Sequence, residues 1–154
     1  MTAVTPRILV VEDDDAIRTL LVAALRREPF DVDAANDGAA ALELTREHEY
    51  AVIILDLMMP RLNGFEFLAA FHDATPTARS VVFVVTAFDD AQLGKLQPHQ
   101  VHAVIRKPFD VPQLVTMVRE VALMWQTQTQ SQAVQPILRR PSAEDDLSAD
   151  EPTN

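Results

Sequence analysis

The sequence predicts an α/β fold with a doubly wound, five-stranded parallel sheet, and two patterns carry that prediction. Short apolar runs rich in β-branched residues recur along residues 7–126, and segments with apolar residues at helical spacing lie between them. Strands that alternate with helices favour a parallel sheet whose right-handed crossovers place helices on both faces. The chain has 154 residues, of which 48% are hydrophobic, so one domain of ordinary size can bury a core.

Five strands are predicted. Residues 8–11, 52–55 and 81–85 are continuous apolar runs, which are typical of strands buried on both faces of a sheet. Residues 30–34 alternate apolar and charged side chains, and this pattern suits an edge strand. Residues 101–105 form a fifth strand with a weaker pattern.

Five helices are predicted as well. Apolar residues at helical spacing place the starts of four of them near Ile17, Gly38, Gly64 and Val111. The last of these has the clearest apolar stripe, and Asp110 is placed to cap it. A further helix, fourth in chain order, is predicted after Asp89, which resembles a capping box with Gln92. Gly94 and Pro98 should keep that helix short.

Composition excludes several classes of function. The 13 basic residues against 23 acidic ones give a net charge of −10, which argues against a nucleic-acid partner because phosphate contacts need clustered Lys and Arg. The chain has no cysteine, so it has no disulfide, zinc thiolate or cysteine nucleophile. Its three glycines exclude a Gly-rich dinucleotide or nucleotide phosphate loop. No apolar run is long enough to insert in a membrane, and a cytoplasmic location is expected.

The domain organisation predicted from composition has three parts. Residues 1–6 form a short N-terminal extension, and residues 7–126 form the folded domain. Residues 127–154 are rich first in Gln and Thr and then in acidic residues, and their few large apolar side chains predict a disordered tail. A single domain with a tail leaves no built-in output module, so a stand-alone protein is expected.

Polar side chains follow four of the predicted strands. Glu12 and Asp13 follow the first strand, Asp56 the third and Thr86 the fourth, while Lys107 lies just beyond the fifth. Ligands of open α/β sheets bind at the carboxyl ends of the strands, so these side chains are expected to converge. Taken singly, each is most simply a cap, a turn residue or a surface charge, but their coincidence favours a site.

The chemistry of this set favours phosphoryl transfer. Three carboxylates without a thiolate or a nearby histidine favour Mg²⁺, with Mn²⁺ as an alternative. A lysine can pair with a phosphoryl group, and a threonine hydroxyl can donate a hydrogen bond to it. A carboxylate can itself be the nucleophile and form an aspartyl-phosphate.

With these residues the chain resembles the receiver domain of bacterial two-component response regulators. The resemblance covers about four-fifths of the chain, and its motifs are specific in order and spacing. It implies a flavodoxin-like fold with five helices and strand order 2-1-3-4-5. The matching segments are Ile8-Leu9-Val10-Val11-Glu12-Asp13-Asp14, Asn36-Asp37-Gly38, Ile54-Leu55-Asp56-Leu57-Met58-Met59-Pro60, Asn63-Gly64, Val84-Val85-Thr86-Ala87 and Lys107-Pro108-Phe109.

The resemblance implies a role for each residue of the site. Asp56 is the expected phosphoacceptor. Asp13 is expected to bind Mg²⁺ directly and Glu12 through water, with Asp56 and the backbone carbonyl of Met58 completing the protein ligands. The phosphoryl group is expected to contact Thr86, Lys107 and the small Ala87, and the peptide bond before Pro108 is expected to be cis.

The function implied is a phosphorylation-dependent switch of a phosphorelay. A sensor histidine kinase or a histidine phosphotransfer protein would donate the phosphoryl group, and the phosphoform would change its affinity for a downstream protein effector. The chain is then a phosphoacceptor and not an enzyme in its own right. Two alternatives are a receiver fold that serves only as a scaffold, and a phosphatase with Asp56 as nucleophile. The phosphatase usually needs a second aspartate where Met58 stands.

Two positions depart from the family pattern. The usual Gly-Ala pair at the start of strand five is replaced by Gln100-Val101, and the second departure concerns output. The family usually has an aromatic residue three positions before the lysine, whose rotamer changes with phosphorylation, and here that position is Val104. Because valine is stiff at χ1, we expect the aromatic switch to be absent and output to depend on shifts of the fourth helix and its loop.

Overall fold

The computed structural model describes residues 4–59, 61–87, 90–97 and 100–138. Its centre is a parallel sheet with the strand order β2-β1-β3-β4-β5, as predicted. The strands are β1 (Arg7–Val11), β2 (Asp31–Ala35), β3 (Val52–Leu55), β4 (Val81–Thr86) and β5 (Ala103–Arg106).

Four full-length helices cover the sheet in the described part of the chain, and not the five predicted. They are α1 (Asp15–Leu25), α2 (Gly38–Glu47), α3 (Gly64–Ala74) and α5 (Val111–Leu138). The fourth predicted helix is reduced to the single turn α4 (Asp90–Leu93). Gly94 follows directly, and a glycine is among the least favourable residues for continuing a helix. The predicted cap, Asp89, lies outside the described residues.

Four strands and one helix differ in extent from the predicted bounds. β1 starts one residue earlier than predicted, at Arg7, and β4 ends one residue later, at Thr86. β2 starts and ends one residue later than predicted. β5 starts at Ala103, two residues later than predicted, and ends at Arg106, one residue later. Before the strand, the Gln100 N–H donates to the Gln97 carbonyl at 2.9 Å.

α5 continues to Leu138, so residues 127–138 are helical where disorder was predicted. This segment continues a helix that is already anchored to the sheet, so no new helix nucleus has to form, and Pro136 lies in its last turn. The rest of the predicted tail, residues 139–154, lies outside the described residues.

The core consists of two layers, one on each face of the sheet. Successive residues of a strand point to opposite faces, so Ile8 and Val10 enter one layer and Leu9 and Val11 the other. The first layer packs under α1 and α5, with Trp125 at its edge. The second packs under α2 and α3. The two layers bury both faces of the central strands, as their unbroken apolar runs predicted.

No helix in the described ranges has the length and apolar character needed to cross a membrane.

Candidate functional site

The backbone of the sheet places two carboxylates side by side. Glu12 directly follows β1 and Asp56 directly follows β3, which are neighbours in the sheet. The N–H of Asp56 donates to the Val11 carbonyl at 2.9 Å, and the N–H of Glu12 donates to the Ala35 carbonyl at 3.1 Å. Because the strand pairing continues to these residues, the sheet itself determines the distance between their side chains.

Glu12, Asp13 and Asp56 form a cluster of carboxylates. Each offers an oxygen, and these oxygens all lie within 4.8 Å of one another. Asp13 is exposed, but the exposed fraction of Glu12 is only 2% and that of Asp56 is 4%. Two negative charges with little access to water are unfavourable unless cations and hydrogen bonds compensate them.

Lys107 supplies part of that compensation. Its Nζ lies 2.8 Å from Glu12 Oε1 and 3.4 Å from Asp56 Oδ2. Its backbone N–H donates to the Thr86 carbonyl at 2.9 Å, which fixes the residue beyond the end of β5. Burial lowers the pKa of the Lys107 ammonium, but the hydrogen bond to Glu12 and the charges of both carboxylates outweigh it, so the pKa lies above its ordinary value. One firmly charged cation thus faces three carboxylates.

Asp56 has the most perturbed acidity in this cluster. Its pKa is raised to about 7, first by burial and then by hydrogen bonding with Glu12 and by the negative charge of that group. The Met58 N–H, which donates to Asp56 Oδ1 at 3.0 Å, and the Lys107 ammonium act in the opposite direction. The carboxyl of Asp56 therefore holds its proton to a higher pH than an ordinary aspartate does.

The donor set fits a divalent cation such as Mg²⁺. The three carboxylates supply hard oxygen ligands, and one lysine leaves them with excess negative charge. The backbone of Met58 adjoins Asp56, as its hydrogen bond shows, while a metal-binding role of its carbonyl stays a prediction. The expectation that Glu12, Asp13 and Asp56 lie together is confirmed by their geometry.

The remaining predicted residues lie at the same end of the sheet or next to it. Thr86, the last residue of β4, is fully buried, and Ala87 after it is exposed. The peptide bond between Lys107 and Pro108 is cis, as the resemblance implied. Val104 lies on β5 with 41% of its surface exposed.

Asp14 separates the site from the first helix. Its side chain accepts a hydrogen bond from the Ile17 N–H at 2.9 Å and caps α1. Arg18 of that helix donates to the Glu12 carbonyl at 3.0 Å. Asp14 is thereby committed to the helix, while Glu12 and Asp13 remain for the site.

The connection between β3 and α3, described at residues 56–59 and 61–63, brings its two ends close together. A Cβ atom added at Gly64 would lie 2.6 Å from Leu57 Cα and 2.8 Å from the Asp56 carbonyl oxygen, so only glycine fits there. Asn63 and Glu66 form a capping box at the start of α3. The backbone that follows Asp56 is therefore folded back against the first turn of α3.

Sequence reasoning missed an ion pair on this loop. Arg61 Nη1 lies 3.1 Å from Asp37 Oδ2, although 79% of the Arg61 side chain is exposed. Arg61 has a backbone φ of 65°, a left-handed conformation that costs a residue with a Cβ roughly 1–2 kcal/mol. The motif Asn36-Asp37-Gly38 was visible in the sequence, but nothing in it indicated which side chain Asp37 would contact.

Comparison with known proteins agrees with this geometry. A model of the response regulator receiver domain matches residues 8–119. The transcriptional regulatory protein SrrA of Staphylococcus aureus is 35% identical over 126 residues, which cover 79% of this chain and 49% of that protein. The chain thus spans about half the length of the curated relatives it matches.

Solved structures with the same fold include two that are more than a quarter identical to this chain. A sensor protein from Polaromonas sp. JS666 is 30% identical with a TM-score of 0.68, and the match covers 78% of this chain and 98% of that one. The response regulator protein TrrA from Thermotoga maritima, in complex with Mg²⁺ and BeF, is 27% identical with a TM-score of 0.66. That match covers 76% of this chain and 99% of TrrA.

The raised pKa of Asp56 predicts how stability depends on pH when divalent cations are chelated. Between about pH 4 and 7 the folded protein holds a proton on Asp56 that the unfolded chain releases. The stabilisation from that proton is complete below pH 4 and is lost as the pH rises through 7. Asp56→Asn removes this dependence. The free energy of unfolding of the variant minus that of the wild type should therefore increase by roughly 1–3 kcal/mol between pH 5 and pH 8.

Urea unfolding of both proteins at a series of pH values measures this difference. A gain that is constant across the series, or a loss of stability at pH 8, would contradict the assignment of a raised pKa to Asp56.

Proposed function

Because the chain belongs to the response regulator receiver domain family, we propose that Asp56 is the phosphoacceptor of its signalling switch. Membership of this family implies phosphorylation-dependent signalling. The assignment of Asp56 as the phosphoacceptor rests on the geometry of the site. One observation carries it. Asp56 is a buried carboxylate that contacts the ammonium of Lys107 and lies within 4.8 Å of two further carboxylates.

The proposed reaction transfers a phosphoryl group to Asp56 from a phosphohistidine of a sensor histidine kinase or a histidine phosphotransfer protein. An oxygen of the ionised Asp56 carboxylate attacks phosphorus, the P–N bond breaks, and the electron pair of that bond stays on the imidazole. The product is an acyl phosphate on Asp56. Most of the work is positioning and charge neutralisation, because the phosphoryl group itself brings the reactive bond.

Each neighbour of Asp56 has a role in this proposal. Lys107 already lies within 3.4 Å of Asp56 and can pair with the incoming phosphoryl oxygens as a point charge. Thr86, at the end of the adjacent strand β4, supplies a hydroxyl donor, and Ala87 leaves room beside it.

Glu12, Asp13, Asp56 and the Met58 carbonyl are the proposed ligands of Mg²⁺, for which Mn²⁺ can substitute. When bound, the cation supplies the positive charge that keeps Asp56 ionised and offsets the charge of the phosphoryl group. Because the chemistry is shared with the donor protein, we class the chain as a phosphoacceptor and not as an enzyme. A cytoplasmic location fits a partner kinase that acts inside the cell.

Output requires a second conformational state. Phosphorylation is proposed to bias a two-state equilibrium and so to change the affinity for a downstream protein effector. Val104 replaces the family's usual aromatic residue, and a stiff, half-exposed valine has little rotamer freedom to report the state of Thr86. The single turn of α4 and the residues after it are the proposed moving part, since one turn flanked by Gly94 is weakly held.

Phosphorylation by a small-molecule donor tests the assignment of Asp56. Wild-type protein incubated with Mg²⁺ and acetyl phosphate should gain one phosphate by intact-mass analysis, and Asp56→Asn should gain none because its amide is not a nucleophile. Lys107→Met should gain markedly less at equal times because a neutralising charge is lost. Omitting Mg²⁺ is the matched control. Folded wild-type protein that gains no phosphate would favour the scaffold alternative.

Chemical shifts measured by NMR test the route to the output surface. On phosphorylation, the amide shifts outside the site should concentrate in residues 90–97, and the methyl groups of Val104 should move little. The proposal is wrong if the largest shifts outside the site lie at Val104 while residues 90–97 are unperturbed.

A further inference from the structure

Arg61 is in a conformation that its residue type does not favour. Its φ of 65° lies in the left-handed region, and it is the single residue with a Cβ found there among those described. Such a residue persists where the surrounding structure holds it, and it commonly marks a functional segment. Arg61 belongs to the loop that begins at Asp56, so the contacts that hold it bear directly on the site.

The contact that holds the Arg61 side chain is Asp37. This carboxylate follows β2 and is buried, and it accepts hydrogen bonds from two different segments. Its Oδ1 accepts from the Ala40 N–H at 2.8 Å and so caps α2. Its Oδ2 lies 3.1 Å from Arg61 Nη1. A buried carboxylate needs such a cation, so the pair couples the loop to the helix that follows the edge strand.

The backbone makes a second contact between the same two segments. A Cβ added at Gly38 would lie 2.6 Å from the Leu62 carbonyl oxygen, so the first residue of α2 touches the loop directly. From there the loop closes on itself, because the Gly64 N–H donates to the Leu57 carbonyl at 3.1 Å. A displacement at Arg61 can therefore reach Leu57 and its neighbours Asp56 and Met58 through backbone contacts alone.

We propose that Arg61 is a positioning residue, whose ion pair with Asp37 holds the loop after Asp56 in the shape that binds Mg²⁺. The inference rests on the proposed function, since it concerns the same metal ligands. It assigns to Arg61 no contact with the cation or the phosphoryl group. The ion pair keeps Asp56 and the Met58 backbone at the positions where they can bind the same cation as Glu12 and Asp13.

Electrostatics and positioning predict opposite signs for the loss of this arginine. A positive charge near a cation site weakens cation binding, so its removal alone should strengthen the binding of Mg²⁺. If the ion pair positions the loop, its removal should weaken binding instead. Arg61→Gln, which removes the charge and keeps a Cβ, therefore separates the two effects. Asp37→Asn retains an oxygen to cap α2 while breaking the pair.

Titration calorimetry with Mg²⁺ on the full chain is the test. The dissociation constant is expected to rise roughly threefold to tenfold for Arg61→Gln and to stay within about twofold of wild type for Arg61→Lys. The double variant Arg61→Gln, Asp37→Asn should be no weaker than the Asp37→Asn single variant, because both changes break the same pair. Arg46→Gln is the matched control, since it breaks the exposed ion pair with Glu43 on α2 and should change nothing.

The outcomes are distinct. An Arg61→Gln protein that binds Mg²⁺ as tightly as wild type, or more tightly, overturns the inference and leaves the proposed function standing. A wild-type protein that binds no Mg²⁺ overturns the proposed function and this inference with it. Fluorescence of the buried Trp125 verifies before each titration that the variant is folded, so a loss of binding cannot come from unfolding.

Discussion

The arrangement of the site depends on one contact, that of the Lys107 ammonium with two buried carboxylates. Lys107 touches both Glu12 and Asp56, and the sheet leaves neither carboxylate free to turn toward water. One positive charge does not balance this cluster once Asp13 is counted. Burial first, and then the neighbouring Glu12, raise the pKa of Asp56 to about 7 despite the Lys107 ammonium. Binding of a cation and attachment of a phosphoryl group each change the net charge of this cluster.

The fold supplies this constraint through backbone pairing and not through the loops alone. Parallel pairing aligns the ends of β1 and β3. The backbone therefore brings Glu12 and Asp56, which follow these strands, close to each other. The loop from Asp56 to α3 is then closed by Gly64 and by the contacts of Arg61 and Leu62 with the start of α2. The cluster of carboxylates thus lies between the ends of the sheet strands and a loop that contains a residue with positive φ.

Much of this arrangement follows from local sequence patterns. Continuous apolar runs predicted the central strands, and the polar residues after them predicted which side chains meet, because strand ends converge in a parallel sheet. A short fourth helix was predicted from Gly94 and Pro98, but not its reduction to a single turn. The delayed start of β5 and the helical residues 127–138 were not predicted, since each depends on marginal propensities decided by tertiary context. The ion pair of Arg61 with Asp37 joins residues 24 positions apart, and no periodicity or motif spacing indicates such a contact.

The central claim is that Asp56 exchanges a proton for a divalent cation, and the linkage between Mg²⁺ binding and proton release tests it most directly. Calorimetric titrations in buffers of different ionisation enthalpy measure both quantities at once. Because burial and Glu12 raise the pKa of Asp56, binding of Mg²⁺ near neutral pH should release protons, and the affinity should increase from pH 6 to pH 8. Asp56→Asn should abolish both effects. Wild-type binding that releases no proton and has the same affinity at pH 6 and pH 8 would contradict the account.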